Sequence, residues 1–334
     1  MLYVTTRSNR DAFTVSRAMH DALAPDGGQF VPFRLMPLSR ERIADLLDMG
    51  FARCTAEILN MFFSAKLTGW DVDFCVGKNL CKISVMNHRI AVSELWHNQQ
   101  RDFDWVISRL YERMKDSSSD SSVPNNWVSL AVRIAAIFGT FSELHRGGIL
   151  EKDQALDIAV PADDFSQAVA AWYARFLGLN IGTILCASSK FTNCWDLFNY
   201  GQMRTDSVPC DLERLIYLTL GHDEAVRFVQ CCNTGKAFAL EPDKADLLRS
   251  GLFSAVIGTE RIESIIPRVY RTNEYLMAPM TALAFGGIQD YRAKNGEVRP
   301  TLILAQSSPS CCADAVAKAM GMTVQQLKDR FSLD

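Results

Sequence analysis

The residues best suited to acid–base chemistry are one histidine and a scatter of carboxylates: His97, Asp104, Asp163, Asp164 and Glu213. An imidazole and several carboxylates can pass protons if a fold brings them within hydrogen-bond reach, and spacing alone does not do so. Each has a plainer use as well. His97 can be a buried imidazole bonded to a backbone carbonyl, Asp163 or Asp164 can cap a helix and complement its dipole, and Glu213 with Arg214 can pair with neighbours on the surface. Metal binding is not indicated. The ten cysteines contain no C-x-x-C, and none of the five histidines stands four residues from another. The cysteines are expected as buried small hydrophobes.

The elements that must position these groups show in the periodicity. Helices are expected from Asp11 to the Pro25-Asp26-Gly27-Gly28 turn, after Ser39, and after Thr55, where Ile58, Leu59, Phe62 and Phe63 share a stripe. Phe103, Val106, Leu110 and Met114 carry a further helix, and Leu130, Ile134, Ile137, Phe141 and Leu144 the most regular one. Between those two lies 116–126, a Ser/Asp-rich, proline-containing linker that cannot bury enough to order itself. Beyond Gly147-Gly148 short apolar runs alternate with helices: Leu156–Val160, Ile181–Ala187, Phe253–Gly258 and Thr301–Ala305. That alternation predicts an α/β fold with a mostly parallel sheet, helices on both faces, and an amino-terminal helical lobe packed on it.

The 334 residues are 48% hydrophobic and 22% charged with a net charge of −3, the composition of a globular chain. No clustered Lys/Arg block favours nucleic acid as a partner. No apolar run is read as a membrane span, no apolar signal core follows residues 1–10, and a cytoplasmic location without membrane or nucleic-acid partners is expected.

The opening Tyr3-Val-Thr-Thr-Arg7, Leu23-Ala-Pro-Asp-Gly-Gly28 and Phe30-Val-Pro32 resemble the amino terminus of threonine synthases, with its STRG-like start and GLAPDGGLYVP. Glu94-Leu-Trp-His97 resembles the family's ELFHGPT, Asn126-Trp through Arg133-Ile134 its NWARI helix, and Ala159-Val-Pro161 through Gly178-Leu179 its stretch from VPTGNFGD to AKRMGLPI. Asp211-Leu-Glu-Arg-Leu-Ile216 is similar to SNLERLL, and Tyr275 through Ala282 to YLLDPHTA. The resemblance implies the fold-type II pyridoxal-phosphate architecture of the tryptophan-synthase-β group. It divides the chain into a threonine synthase-like region at 1–95, a remnant of the lysine-bearing segment at 96–115, the linker, and a large α/β domain at 127–334.

Set against that family, four positions depart. Aligned through His97 and Phe103, Asp104 stands where the family's HGPTxAFKD supplies the Schiff-base lysine, and a carboxylate forms no imine. Lys115 stands too far along the helix to substitute. The phosphate-cradling T-G-N-F-G-D loop reads Ala162-Asp-Asp-Phe-Ser-Gln167, without glycines and with two carboxylates that repel a phosphate. The subdomain bearing the S-G-D-T-G loop has no counterpart between Asp104 and Asn126, and Gln306 replaces the threonine expected near the pyridine nitrogen. The expected function is therefore a threonine synthase-like pseudoenzyme with a binding or regulatory role and no cofactor. Two alternatives stand beside it: a cofactor-independent enzyme using the five acid–base candidates, and a pyridoxal-phosphate lyase making threonine from O-phosphohomoserine. Surface bared near Phe103–Trp105 and Phe165 by the missing subdomain is expected to be covered in a homodimer or by another protein, with Trp105 or Trp172 losing exposure. A small metabolite is the other partner considered.

Overall fold

The structure is a computed structural model and describes residues 1–77, 81–87, 89–96, 98–115, 126–151, 153–163, 165–209, 211–296 and 299–333. His97, Asp164 and all of the expected linker but Asn126 lie outside the described residues.

The amino-terminal part holds β1 (Tyr3–Thr5), α1 (Val15–His20), β2 (Phe30–Pro32), α2 (Arg40–Leu47), α3 (Phe51–Phe63) and α4 (Gly69–Val76). Next come β3 (Lys82–Asn87), β4 (Ile90–Glu94), α5 (Phe103–Met114) and α6 (Trp127–Arg146). The remainder alternates: β5 (Leu156–Pro161), α7 (Ser166–Phe176), β6 (Ile181–Ser188), α8 (Asn193–Tyr200), β7 (Gln202–Met203), α9 (Leu212–Leu220) and α10 (His222–Thr234). It closes with β8 (Phe238–Ala239), α11 (Pro242–Arg249), β9 (Leu252–Val256), α12 (Thr259–Asn273), α13 (Pro279–Asn295), β10 (Thr301–Ala305), α14 (Ala313–Met320) and α15 (Val324–Phe331).

The α/β expectation is met. Six strands form one sheet in the order β3-β4-β10-β5-β6-β9, parallel except for the edge strand β3. The expected strands β5, β6 and β10 are interior: they are mostly apolar and covered on both faces, with the buried Asp157 in β5 paired to Arg299 (2.9 Å). Alternation along β10 divides the core: Leu302 and Leu304 face a cluster with α3, α6 and α7, while Ile303 and Ala305 face one with α12, α13 and α14. The helices of the amino-terminal lobe pack through α3 on α6. The last strand of the 1–95 region, β4, lies beside β10 in full register, Thr301 opposite Ile90 to Ala305 opposite Glu94, so the lobe's chain runs directly into the main sheet.

Three local expectations are corrected. The first helix begins at Val15 with Thr14 as its cap, not at Asp11, because Tyr3 and Phe13 exchange backbone hydrogen bonds (3.0 and 2.7 Å) that hold the chain extended through Phe13. The helix α3 begins at Phe51, not after Thr55: Gly50, at φ 83°, turns the chain and Glu143 caps from outside by accepting from the Phe51 N–H at 2.7 Å. And α6 is long and apolar enough to cross a membrane by length and composition, although most of it is buried inside this fold. Its Ile134, Ile137, Phe138 and Phe141 are essentially inaccessible, each burial stabilising by about 1.5–3 kcal/mol. A change such as Ile137→Ala would forfeit about 2–5 kcal/mol.

Candidate functional site

In an open parallel sheet, ligands are met beyond the carboxyl ends of the strands, where loops lead into helices. Here β4, β10 and β5 end side by side, and backbone bonds stitch their exits together. Leu95 donates to the Ala305 carbonyl (2.9 Å), Phe103 to the Gln306 carbonyl (2.9 Å), and Ala162 to the Ala187 carbonyl (2.7 Å). Asp102 caps α5 through the Trp105 N–H (3.2 Å), which sets Asp104 in its first turn.

Onto this junction α6 projects Arg133. Its Nη1 donates to Gln306 Oε1 (2.7 Å) and Gln167 Oε1 (3.2 Å), and its Nη2 to Asp104 Oδ1 (2.8 Å). The guanidinium also lies 5.6 Å from the Phe103 ring. Three of the positions where the sequence departs from the resemblance, 104, 167 and 306, thus converge on one cation. Arg133 itself was not singled out from sequence. The available signals were its place in the stretch resembling the NWARI helix and its being the lone charged residue between Leu130 and Phe141.

The cluster is unevenly satisfied. Arg133 is 5% exposed and Gln167 1%, whereas the Asp104 side chain is 74% exposed. Arg133 Nε and Gln167 Nε2 are buried without a hydrogen-bond partner. A buried cation whose one carboxylate partner among the described residues stands largely in water is only partly neutralised.

The other candidates lie elsewhere. Glu213 is buried, not on the surface: it accepts from Thr6 Oγ1 and from Arg7 Nε and Nη2 (both 3.1 Å). Arg214 is likewise buried, paired with Asp211 and donating from Nε to the Phe30 carbonyl at 3.1 Å. Asp163 does not cap α7; its Oδ1 accepts from the Ser189 N–H (2.8 Å), and Phe165 holds the N-cap position of α7 with no side-chain cap. Lys115 closes α5 at its far end and pairs with Glu112 at 2.8 Å. Among the described residues, Asp104, Asp163 and Glu213 are committed to separate partners and form no proton relay.

Among the described residues, the expected bare surface is largely covered within the chain. Phe103, Phe165 and Trp172 are buried within the chain, and half-buried Trp105 lies under the Arg101 guanidinium at 4.7 Å. Phe165 instead stacks on Phe198, ring centres 5.0 Å apart.

A cleft of about 800 Å³ opens between the lobe and the β3 edge, lined by Arg53, Asp73, Lys82, Glu94, Trp96 and Arg146 among others. Burial holds the Glu94 carboxyl above the usual range, against the opposing influence of Lys82 and hydrogen bonds with Tyr275 and Ser84. Cys81 at its floor bonds with Ser93 (3.3 Å) and Thr140 (3.4 Å), but burial pushes its thiol up to about 11, so it is no nucleophile at neutral pH.

The junction does not fit pyridoxal phosphate. Its side chains are a guanidinium, a carboxylate and two carboxamides, none of which forms an imine with an aldehyde. The Arg133 guanidinium is engaged through Nη1 and Nη2 with all three of these side chains, where an imine would need an amine.

Residues 2–79 match the family model described as Threonine synthase N terminus. Threonine synthase-like 1 of Mus musculus is 24% identical over 289 residues, 80% of this chain and 35% of that protein. Its Homo sapiens counterpart is 21% identical over 243 residues, 66% of this chain and 30% of that protein. The chain therefore spans about a third of the length of these curated relatives. The solved structure of pyridoxal-phosphate-bound threonine synthase from Brucella melitensis superimposes with a TM-score of 0.79 at 18% identity, covering 96% of this chain and 92% of that one. Yeast threonine synthase gives 0.78 at 15% identity, covering 100% and 94%. The chain is threonine synthase-like in its amino-terminal sequence and in its fold.

Proposed function

We propose that this threonine synthase-like chain performs no pyridoxal-phosphate chemistry and acts as a binding or regulatory protein. The observation that carries this reading is the Arg133 cluster: Asp104, Gln167 and Gln306 are engaged with each other's common cation at the junction where a cofactor would need an amine and an anion cradle. Catalysis of that kind depends on a complete positioned set, and replacing one member does not revive the rest. The partners in this reading are a small metabolite or a protein, a second copy of the chain included.

The test is borohydride reduction of the protein in excess pyridoxal phosphate, read by intact mass and peptide mapping. No single lysine is expected to take up the cofactor stoichiometrically. Asp104→Lys is expected to release no threonine from O-phosphohomoserine, because the phosphate cradle and the substrate-carboxylate loop are still lacking. Stoichiometric labelling of one lysine in the unaltered chain, or threonine from the variant, would overturn the reading.

A further inference from the structure

We infer that a cavity at the amino ends of the central strands binds an amphipathic carboxylate, with its alkyl chain against α2 and α6 and its carboxylate on Arg175. The cavity measures about 720 Å³ and opens between α2, the last turns of α6 and the turns that lead into β5 and β6. Because those turns precede their strands, it lies at the opposite end of the sheet from the Arg133 junction. Phe141, which lines it, stands roughly two turns beyond Arg133 on α6, about 12 Å along the helix axis. The walls are apolar: Leu38, Ile43 and Leu47 come from α2 and the residues before it, Phe141 from α6, and Leu150 and Leu179 from the two turns. Leu38 and Ile43 are only half-buried, so apolar surface is left for a ligand to cover. A cavity of this size with apolar walls and a few charged groups at its rim is the ordinary form of a small-molecule site.

The charges at the rim decide which head group fits. Arg175, half-buried near the end of α7, reaches only backbone carbonyls through Nη1, those of Gly182 (3.4 Å) and Ser250 (3.3 Å), and among the described residues no carboxylate pairs with it. Burial, with the neighbouring Arg299 cation added, holds its pKa below the usual range. Arg299 is itself committed to the buried Asp157 at 2.9 Å, so that acid is already taken. Arg40, also on the rim, is exposed and has the exposed Glu41 beside it; the only acid among the described lining residues, Asp153, is exposed as well. Charges in water count for little, which leaves Arg175 as the cation short of a partner. A neutral apolar ligand would leave that guanidinium unrelieved, and a bare inorganic anion would leave the apolar wall wet. A carboxylate on an alkyl chain answers both, since a guanidinium takes a carboxylate through two parallel N–H donors. No bond is made or broken in this binding.

The experiment titrates octanoate, hexanoate and 1-octanol by calorimetry into the unaltered chain, Arg175→Gln, Ile43→Asn and the control Lys82→Gln, which alters the cleft at the β3 edge instead. Octanoate should bind saturably, and hexanoate about tenfold more weakly for its two missing methylenes. The alcohol, equal in length and uncharged, should bind about fivefold more weakly than octanoate, the worth of one charge-assisted contact at a half-open rim. Arg175→Gln should remove that preference by weakening octanoate alone, Ile43→Asn should weaken both ligands, and Lys82→Gln neither. If Arg175→Gln misfolds, the preference for octanoate over 1-octanol in the unaltered chain and its loss of affinity in Ile43→Asn decide together. Absence of saturable octanoate binding, equal binding of acid and alcohol to the unaltered chain, or equal effects of Arg175→Gln and Lys82→Gln overturns the inference. It goes beyond the reading of a chain without pyridoxal-phosphate chemistry and does not use the Arg133 junction. Failure here without cofactor labelling therefore leaves that reading standing, and labelling removes that reading whatever octanoate does.

Discussion

Two arginine–carboxylate clusters tie distant parts of this chain together, and they differ in which partner faces water. At the amino terminus Arg7 and Thr6 meet Glu213, whose carboxylate is 1% exposed and accepts three donors, with Arg214 and Asp211 buried alongside. At the strand ends Arg133 is the buried member, and Asp104 leans on it from solvent. The first cluster is built from the segments that most resemble threonine synthases, Tyr3–Arg7 and Asp211–Ile216. The second joins three positions that depart from them, Asp104, Gln167 and Gln306, to Arg133, which lies in the stretch resembling the NWARI helix. The resemblance is therefore strongest at a structural joint, where each desolvated charge is needed by the other, and weakest where chemistry would occur.

The sharpest way to break this comparison is Glu213→Ala. Removing a buried carboxylate leaves Arg7 and the Thr6 hydroxyl without their acceptor, so stability should fall by about 3–5 kcal/mol. A urea midpoint shift with an unchanged slope would measure it. Glu213→Gln should recover part of the loss, since a carboxamide oxygen still accepts from Thr6. A loss under about 1 kcal/mol for the alanine variant would show that the joint is not held by this charge.

Arg133→Met should cost less, about 1–2 kcal/mol. It removes a buried cation, and the carboxylate it deserts is already hydrated; what remains unmet is the oxygen of Gln167, while half-buried Gln306 can turn to water. Equal losses in the two clusters would erase the distinction drawn between them.

The sheet was legible because strands covered on both faces read as mostly apolar runs, as Leu156–Val160, Ile181–Ala187 and Thr301–Ala305 do despite Asp157 and Thr183. Helix starts were less so: Asp11 is a good cap by type, yet a long-range exchange between Tyr3 and Phe13 overrides it. Glu213 looked like a surface residue because its partners, Thr6 and Arg7, lie at the other end of the chain. Asp104, Gln167 and Gln306 were each identified as departures, but their meeting point was hidden, since α6 reads as core and Arg133 belongs to no periodic signal.

The smallest effect expected is that of Asp104→Asn on stability, and it bears most directly on the comparison. The pair is on the surface side, its acid 74% exposed, so its Coulomb gain is set by water rather than by the interior. The asparagine oxygen can go on accepting from Arg133 Nη2, which preserves the hydrogen bond and removes only the charge. The charge lost stands in the first turn of α5, where it complements the helix dipole, a further few tenths of a kcal/mol. Together these predict a loss of at most about 1 kcal/mol at low ionic strength, shrinking when salt screens an exposed pair. Paired urea titrations at low and high salt check both parts. A salt-independent loss above about 2 kcal/mol would mean that Asp104 is as deeply committed to Arg133 as Glu213 is to Arg7.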